Sequence, residues 1–156
     1  LILSKTMGKL SGRKKIVVAV SGYFNPLHVG HLEMIKKARK LGDRLVAIVN
    51  NDKQVKLKGQ VPFMKQADRM KIVRSLRDID EVFLSIDKDR SVCASLAKLK
   101  PGIFAKGGDR NVGNIPEVAV CREYGIKIVD GLGRKIRSSS ILIKNASAKK
   151  KYGGKN

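Results

Sequence analysis

Two histidines, separated by Val29 and Gly30, stand in the stretch SGYFNPLHVGHL (21–32), directly after the apolar run IVVAV (16–20). An imidazole can donate a hydrogen bond to a phosphate oxygen, ligate a metal or cap a helix. Pro26 fixes the turn and denies the backbone a donor. Gly30 has no side chain, so an anion could approach the amides that open the following helix. His28 and His31 flank that point, and two donors beside a helix N-terminus suit phosphate oxygens that redistribute charge during transfer. A pair of capping histidines, or a metal site, accounts for the same spacing. Zinc would lack a well-placed carboxylate or cysteine to complete its shell.

Such a pair needs elements that hold it at the edge of a ligand site. The run IVVAV reads as a strand covered on both faces. A helix is expected over 31–41, with Leu32, Ile35, Ala38 and Leu41 inward and Lys36, Lys37 and Lys40 on a solvated face; Gly42 and Asp43 stop it. Residues 44–50 read as a second strand, and the polar stretch 53–64, with Gly59 and Pro62, as a mobile loop. Residues 66–76 have helical spacing through Ala67, Met70, Val73 and Leu76. A third strand is expected over 81–86, then a helix over 92–99 closed by Pro101, and a fourth strand over 102–106 ending in Gly107 and Gly108. A helix over 117–124, a fifth strand over 126–129 and the start of a last helix over 139–144 complete the pattern. Strands alternating with helices predict an α/β fold: a Rossmann-like, doubly wound, five-stranded parallel sheet in a single domain. In that architecture ligands bind beyond the carboxyl ends of the strands, where the histidines fall.

The chain has 156 residues and a formal net charge of +21. Both ends are basic, yet residues 16–143 still carry 24 basic against 13 acidic side chains, a net +11. A flexible N-terminal segment (1–13), a folded domain (14–146) and a disordered basic tail (147–156) are expected. Met7 could be the natural start of the chain, and the opening LILSKTMGKLSG does not read as a secretion signal. No apolar run approaches the length of a membrane span. Cys93 and Cys121 sit in apolar helical patterns and read as buried free thiols of a reducing, cytoplasmic setting. The charge favours a polyanionic partner without choosing among nucleotide, phosphorylated metabolite and nucleic acid. Nucleic acid is not favoured, because no nucleic-acid module and no aromatic stacking platform is evident.

GYFNPLHVGH resembles the first signature of the nucleotidyltransferases with a cytidylyltransferase-like fold, and RSSSIL (137–142) resembles their second. ARKLGDRLVAIVNND, VKLKG and FAKGGD are similar to the heptose-phosphate adenylyltransferase domain, the first two also to glycerol-3-phosphate cytidylyltransferase. The resemblance implies transfer of AMP or CMP from ATP or CTP to a small phosphorylated acceptor, a sugar-phosphate or polyol-phosphate, with release of pyrophosphate. A phosphate oxygen is already anionic at neutral pH, so the task reduces to alignment and charge stabilisation.

By the same resemblance His28, His31, Arg137 and Ser139 are the catalytic candidates, the histidines at the reacting α-phosphate. Ser138 and Ser140 join Ser139 on the β- and γ-phosphates, and Tyr23, Phe24, Asn25, Gly30, Lys106, Gly107, Gly108 and Asp109 complete the nucleotide site. Lys58 and Arg69 are the candidates for the anionic acceptor or phosphates, although each could instead be a solvated surface charge. Magnesium is implied with the triphosphate, held by phosphates and water rather than by protein side chains. A homodimer is common among such relatives. Asn25 stands where the heptose and glycerol enzymes carry aspartate, and the serine run stands where the heptose enzymes carry threonines. A catalytically silent nucleotide-binding protein, or a basic nucleic-acid-binding protein, is the alternative on the same fold.

Overall fold

A computed structural model describes residues 12–108, 115–132 and 143–146. The expected apolar runs form five parallel strands: β1 (Val17–Gly22), β2 (Arg44–Val49), β3 (Glu81–Leu84), β4 (Ile103–Ala105) and β5 (Lys127–Val129). Their order is β3-β2-β1-β4-β5. The chain steps outward from β1 to β3, then returns to place β4 on the other side of β1, with Val18 opposite Ile103 and Ala19 opposite Phe104. That reversal beside β1 opens a crevice at the carboxyl ends of the strands. The fold is the doubly wound, Rossmann-like α/β sheet that the pattern predicts.

The helices between the strands are α1 (Val29–Arg39), α2 (Asp52–Leu57), α3 (Gln66–Arg74), α4 (Cys93–Leu99) and α5 (Glu117–Glu123), and residues 143–146 are also helical. Strand alternation sends side chains to two separate cores. Val18, Val20, Leu45, Ala47 and Val49 pack on the face that receives Ile35 and Ala38 of α1 and Val73 of α3. Ala19, Ile48 and Phe104 face the other way, against Leu96 of α4 and Cys121 of α5. Burying such a Leu or Ile contributes roughly 1.5–3 kcal/mol, so both faces of the central strands add to the stability of the sheet.

Local differences from the sequence reading have local causes. On α1, Leu32 is 41 % exposed, and Met34 takes its place beside Ile35. Residues 53–64 are not one loop, because Asn51 and Gln54 build a capping box that starts α2: Asn51 Oδ1 accepts from the Gln54 amide, and Gln54 Oε1 from the Asn51 amide, each at 3.0 Å. On α3 the inward position expected for Ala67 is held by Arg69. Arg13, at the edge of the expected flexible segment, pairs with Asp43 at 2.6 Å across the start of β1. Gly42 has a steric reason beyond helix stopping, since a Cβ there would lie 2.7 Å from the Ile16 carbonyl oxygen and from Val18 Cγ2. Cys121 is buried as expected, while Cys93 is only partly so. Burial pushes both thiols up, that of Cys121 to about 11. Among the described residues no helix is long and apolar enough to cross a membrane.

Candidate active site

The turn after β1 delivers both histidines to the first turn of α1, where each caps the other's backbone. His28 is the N-cap, and its Nδ1 accepts from the Gly30 amide at 3.1 Å. His31 reaches back so that its Nδ1 accepts from the His28 amide, also at 3.1 Å. The rings stack with centroids 3.8 Å apart. A nitrogen that accepts a backbone N–H carries no proton of its own, so each neutral ring holds its proton on Nε2. Burial lowers the pKa of His28. Burial, the neighbouring His28 and the charge of Lys58 hold that of His31 down to about 3. Both imidazoles are therefore neutral donors near pH 7. The Gly30 amide is not open to an anion, contrary to expectation, because His28 occupies it. With Nδ1 engaged in the cap, the donor each ring has left is Nε2–H.

The residues that lead into this turn support it from below. Phe24 is buried, adopts φ 48°, and sets its ring 4.9 Å from that of His31. A Cβ at Gly22 would meet Phe24 Cζ at 2.9 Å, so any larger residue would have to displace that ring. Asn25 is fully buried; its Nδ2 donates to the Val61 carbonyl at 3.2 Å and its Oδ1 accepts from the Phe63 amide at 2.7 Å. This clamp uses one donor and one acceptor, which an asparagine has and an ionised aspartate lacks. Phe24 and Asn25 thus serve the site by position, and neither presents a surface to a nucleotide.

Arg69 also differs from its expected role. It is fully buried, and its guanidinium donates to the carbonyls of Met64 (3.1 Å), Tyr23 (2.7 Å) and Asn50 (2.7 Å) and to Asp52 Oδ1 (2.8 Å). The rigid fork that suits phosphate here satisfies three backbone carbonyls at the ends of β1, β2 and the loop before α3. It ties the rim of the site together from inside and has no face open to a ligand.

A cavity of about 750 Å³ opens beside this turn at the carboxyl ends of the strands. Of the expected residues, Tyr23, Lys58 and Lys106 line it, whereas the two histidines stand next to it and outside its lining. Lys58 sets its ammonium 4.5 Å from the Tyr23 ring centroid, and its charge reaches His31. Lys106 ends β4. Gly107 is shaped by packing, since a Cβ would come to 3.0 Å from Met34 Sδ, and Gly108 by its φ of +90°. Asp109, Arg137, Ser138, Ser139 and Ser140 lie outside the described residues.

Sequence reasoning missed the loop after β3. Lys88, Asp89, Arg90 and Ser91 line the same cavity, facing Pro116 and Glu117 at the start of α5. The available signal was positional: SIDKDRSV directly follows a strand, and loops at that end of a doubly wound sheet surround the ligand.

A parallel sheet with a topological switch at β1, paired imidazole donors and a cation-lined cavity define a nucleotide-binding protein of the Rossmann-like class. Residues 19–145 match the cytidylyltransferase-like family, and the chain belongs to that family of nucleotidyltransferases. It is 35 % identical over 120 residues to an FAD synthase from Pyrococcus abyssi, covering 76 % of this chain and 80 % of that protein. It is 36 % identical over 138 residues to the bifunctional protein HldE from Streptomyces coelicolor, covering 84 % of this chain but 28 % of that protein. Among solved structures, a lipopolysaccharide core biosynthesis protein from Thermoplasma volcanium superposes with a TM-score of 0.65 at 26 % identity, over 75 % of this chain and 96 % of that one.

Proposed function

We propose that this protein transfers AMP from ATP to a small phosphorylated acceptor, a sugar-phosphate or polyol-phosphate. An acceptor phosphate oxygen attacks the α-phosphorus in line; the new P–O bond forms as the bond to the β-phosphate oxygen breaks, and pyrophosphate leaves with the electron pair. No proton need be removed from the nucleophile, which suits a site whose two histidines are donors and not bases. The observation that supports the reading is the reciprocal capping of His28 and His31 through Nδ1, which leaves an Nε2–H donor on each of two stacked rings. Donors fixed before the reaction need no reorganisation as charge shifts onto the α-phosphate oxygens. Tyr23, Lys58 and Lys106 form the adjoining wall, and the resemblance gives Arg137 and the serines 138–140 the role of meeting the outer phosphates. Magnesium bound to the triphosphate would supply charge neutralisation. Among the described residues no group of three or more His, Cys, Asp or Glu could hold the ion, so phosphates and water are its fitting ligands.

A flavin acceptor is the second reading. FAD is FMN joined to AMP through a pyrophosphate bond, and the FAD synthase from Pyrococcus abyssi is matched over most of its length. Pyrophosphate release measured with ATP or CTP against heptose 1-phosphate, glycerol 3-phosphate and FMN separates the readings. ATP with a sugar- or polyol-phosphate should give release, and His28→Ala or His31→Ala should slow it about a hundredfold or more. Release with FMN alone would favour the second reading. No release with any pair, or unchanged turnover in both variants, would sink the proposal.

A further inference from the structure

We infer that Lys88 and Arg90, on the loop after β3, bind the phosphate of the acceptor; this rests on the transfer reaction proposed above. The loop is held rigidly by groups that leave these two cations unused. Asn51 Nδ2 donates to the carbonyls of Ser85 (2.9 Å) and Asp87 (3.1 Å). Gln54 Nε2 donates to those of Asp89 and Ser91, both at 2.8 Å. The four odd-numbered carbonyls of the loop are therefore tied to the first turn of α2. Its carboxylates bond to amides and hydroxyls and pair with neither cation among the described residues. Asp87 accepts from the Ala94 amide (2.6 Å), the Ser95 amide (3.0 Å) and the Ser95 hydroxyl (2.6 Å), and Asp89 accepts from the Ser91 amide (2.9 Å) and hydroxyl (2.6 Å). Lys88 and Arg90 are exposed, line the cavity, and form no ion pair among the described residues.

A guanidinium and an ammonium two positions apart on a fixed backbone are suited to one phosphomonoester. Their place in the sheet says which phosphate. The histidines follow β1, and the loop follows β3 with β2 between. Two strand spacings, roughly 10 Å, separate the origins of the two sets of donors. A triphosphate bound at the histidines and a second anion held from the loop thus have room side by side, with Lys88 and Arg90 lining the cavity together with Lys58. The pair supplies the acceptor cations that Arg69, buried and fully engaged with carbonyls, does not.

The test compares wild type with Lys88→Ala/Arg90→Ala, and uses Lys36→Ala/Lys37→Ala on the solvated face of α1 as a control for general loss of positive charge. With whichever acceptor supports pyrophosphate release, the loop variant should raise acceptor KM about tenfold or more, while the KM for ATP stays within about threefold and the control matches wild type. An equal rise in the control, a rise in the ATP KM instead, or no change would overturn the inference. Should wild type release no pyrophosphate with any acceptor, the proposed function fails on its own. Calorimetric titration with glycerol 3-phosphate then decides the loop: weaker binding by the loop variant alone supports it, and equal or absent binding in both proteins overturns it.

Discussion

His28 and His31 hold each other's backbone: each Nδ1 accepts an amide from the turn that carries the other, and the two rings lie 3.8 Å apart. The arrangement turns a capping box, usually built from a hydroxyl and a carboxylate, into a pair of outward N–H donors. Capping and ligand binding need not compete here, because the capping Nδ1 atoms leave the Nε2 atoms of the same rings uninvolved in the cap.

This geometry has a pH signature. The native His31 pKa is about 3 against an ordinary value of 6.5, so between those values the unfolded chain binds a proton that the native protein does not. Native stability must therefore fall as pH drops from about 6.5 toward 3, by at most about 1.4 kcal/mol per pH unit from this group. Urea unfolding at pH 7.5, 6 and 5 should show a midpoint that declines faster in wild type than in His31→Gln, which has no such titration. Turnover should show no inflection near pH 6.5 from His31, which is neutral on either side of it.

Asn25→Asp tests the clamp on the 60–64 loop. A carboxylate at this fully buried position accepts from the Phe63 amide but no longer donates to the Val61 carbonyl. The expected loss is about 1–3 kcal/mol at pH 7.5, with faster proteolytic cleavage in the loop. Burial raises a carboxyl pKa, and a protonated aspartate regains a donor, so the deficit should shrink as pH falls. A deficit independent of pH would show that the missing donor is not its cause.

Arg69→Met removes four hydrogen bonds from a fully buried guanidinium and leaves the Tyr23 and Asn50 carbonyls without it. Unfolding in urea should report a loss of about 3 kcal/mol or more. Arg69→Lys keeps the charge but cannot span all four acceptors, and should recover only part of the loss. If Arg69→Met instead raised a substrate KM with stability unchanged, the buried assignment would be wrong.

Much of the fold was legible because its signals are local. IVVAV and RLVAIV are short apolar runs with β-branched residues, and they became the two central strands. Gly42 and Pro101 marked real element ends. The helix α2 escaped notice because Gly59 and Pro62 dominated the reading of 53–64, although Asn51 and Gln54 carried a capping signal three residues apart. At the site, the histidine pair was readable from its spacing and from the strand before it. Arg69 was not, because a surface arginine and a buried one look alike until the carbonyls of Tyr23, Asn50 and Met64 are brought around it.

The sequence by itself determined the alternation of strand and helix, the parallel sheet, and the placing of two imidazoles where a strand yields to a helix. Those follow from periodicity and turn chemistry within a few residues of each point. Only the tertiary structure decided which cations are interior struts and which face the cavity. Burial of a charge depends on partners far away in the chain, as when α3 reaches the ends of β1 and β2 through Arg69, or α2 straps the loop that carries Lys88 and Arg90. In a chain with this many basic side chains, that long-range pairing is what separates a binding group from background charge.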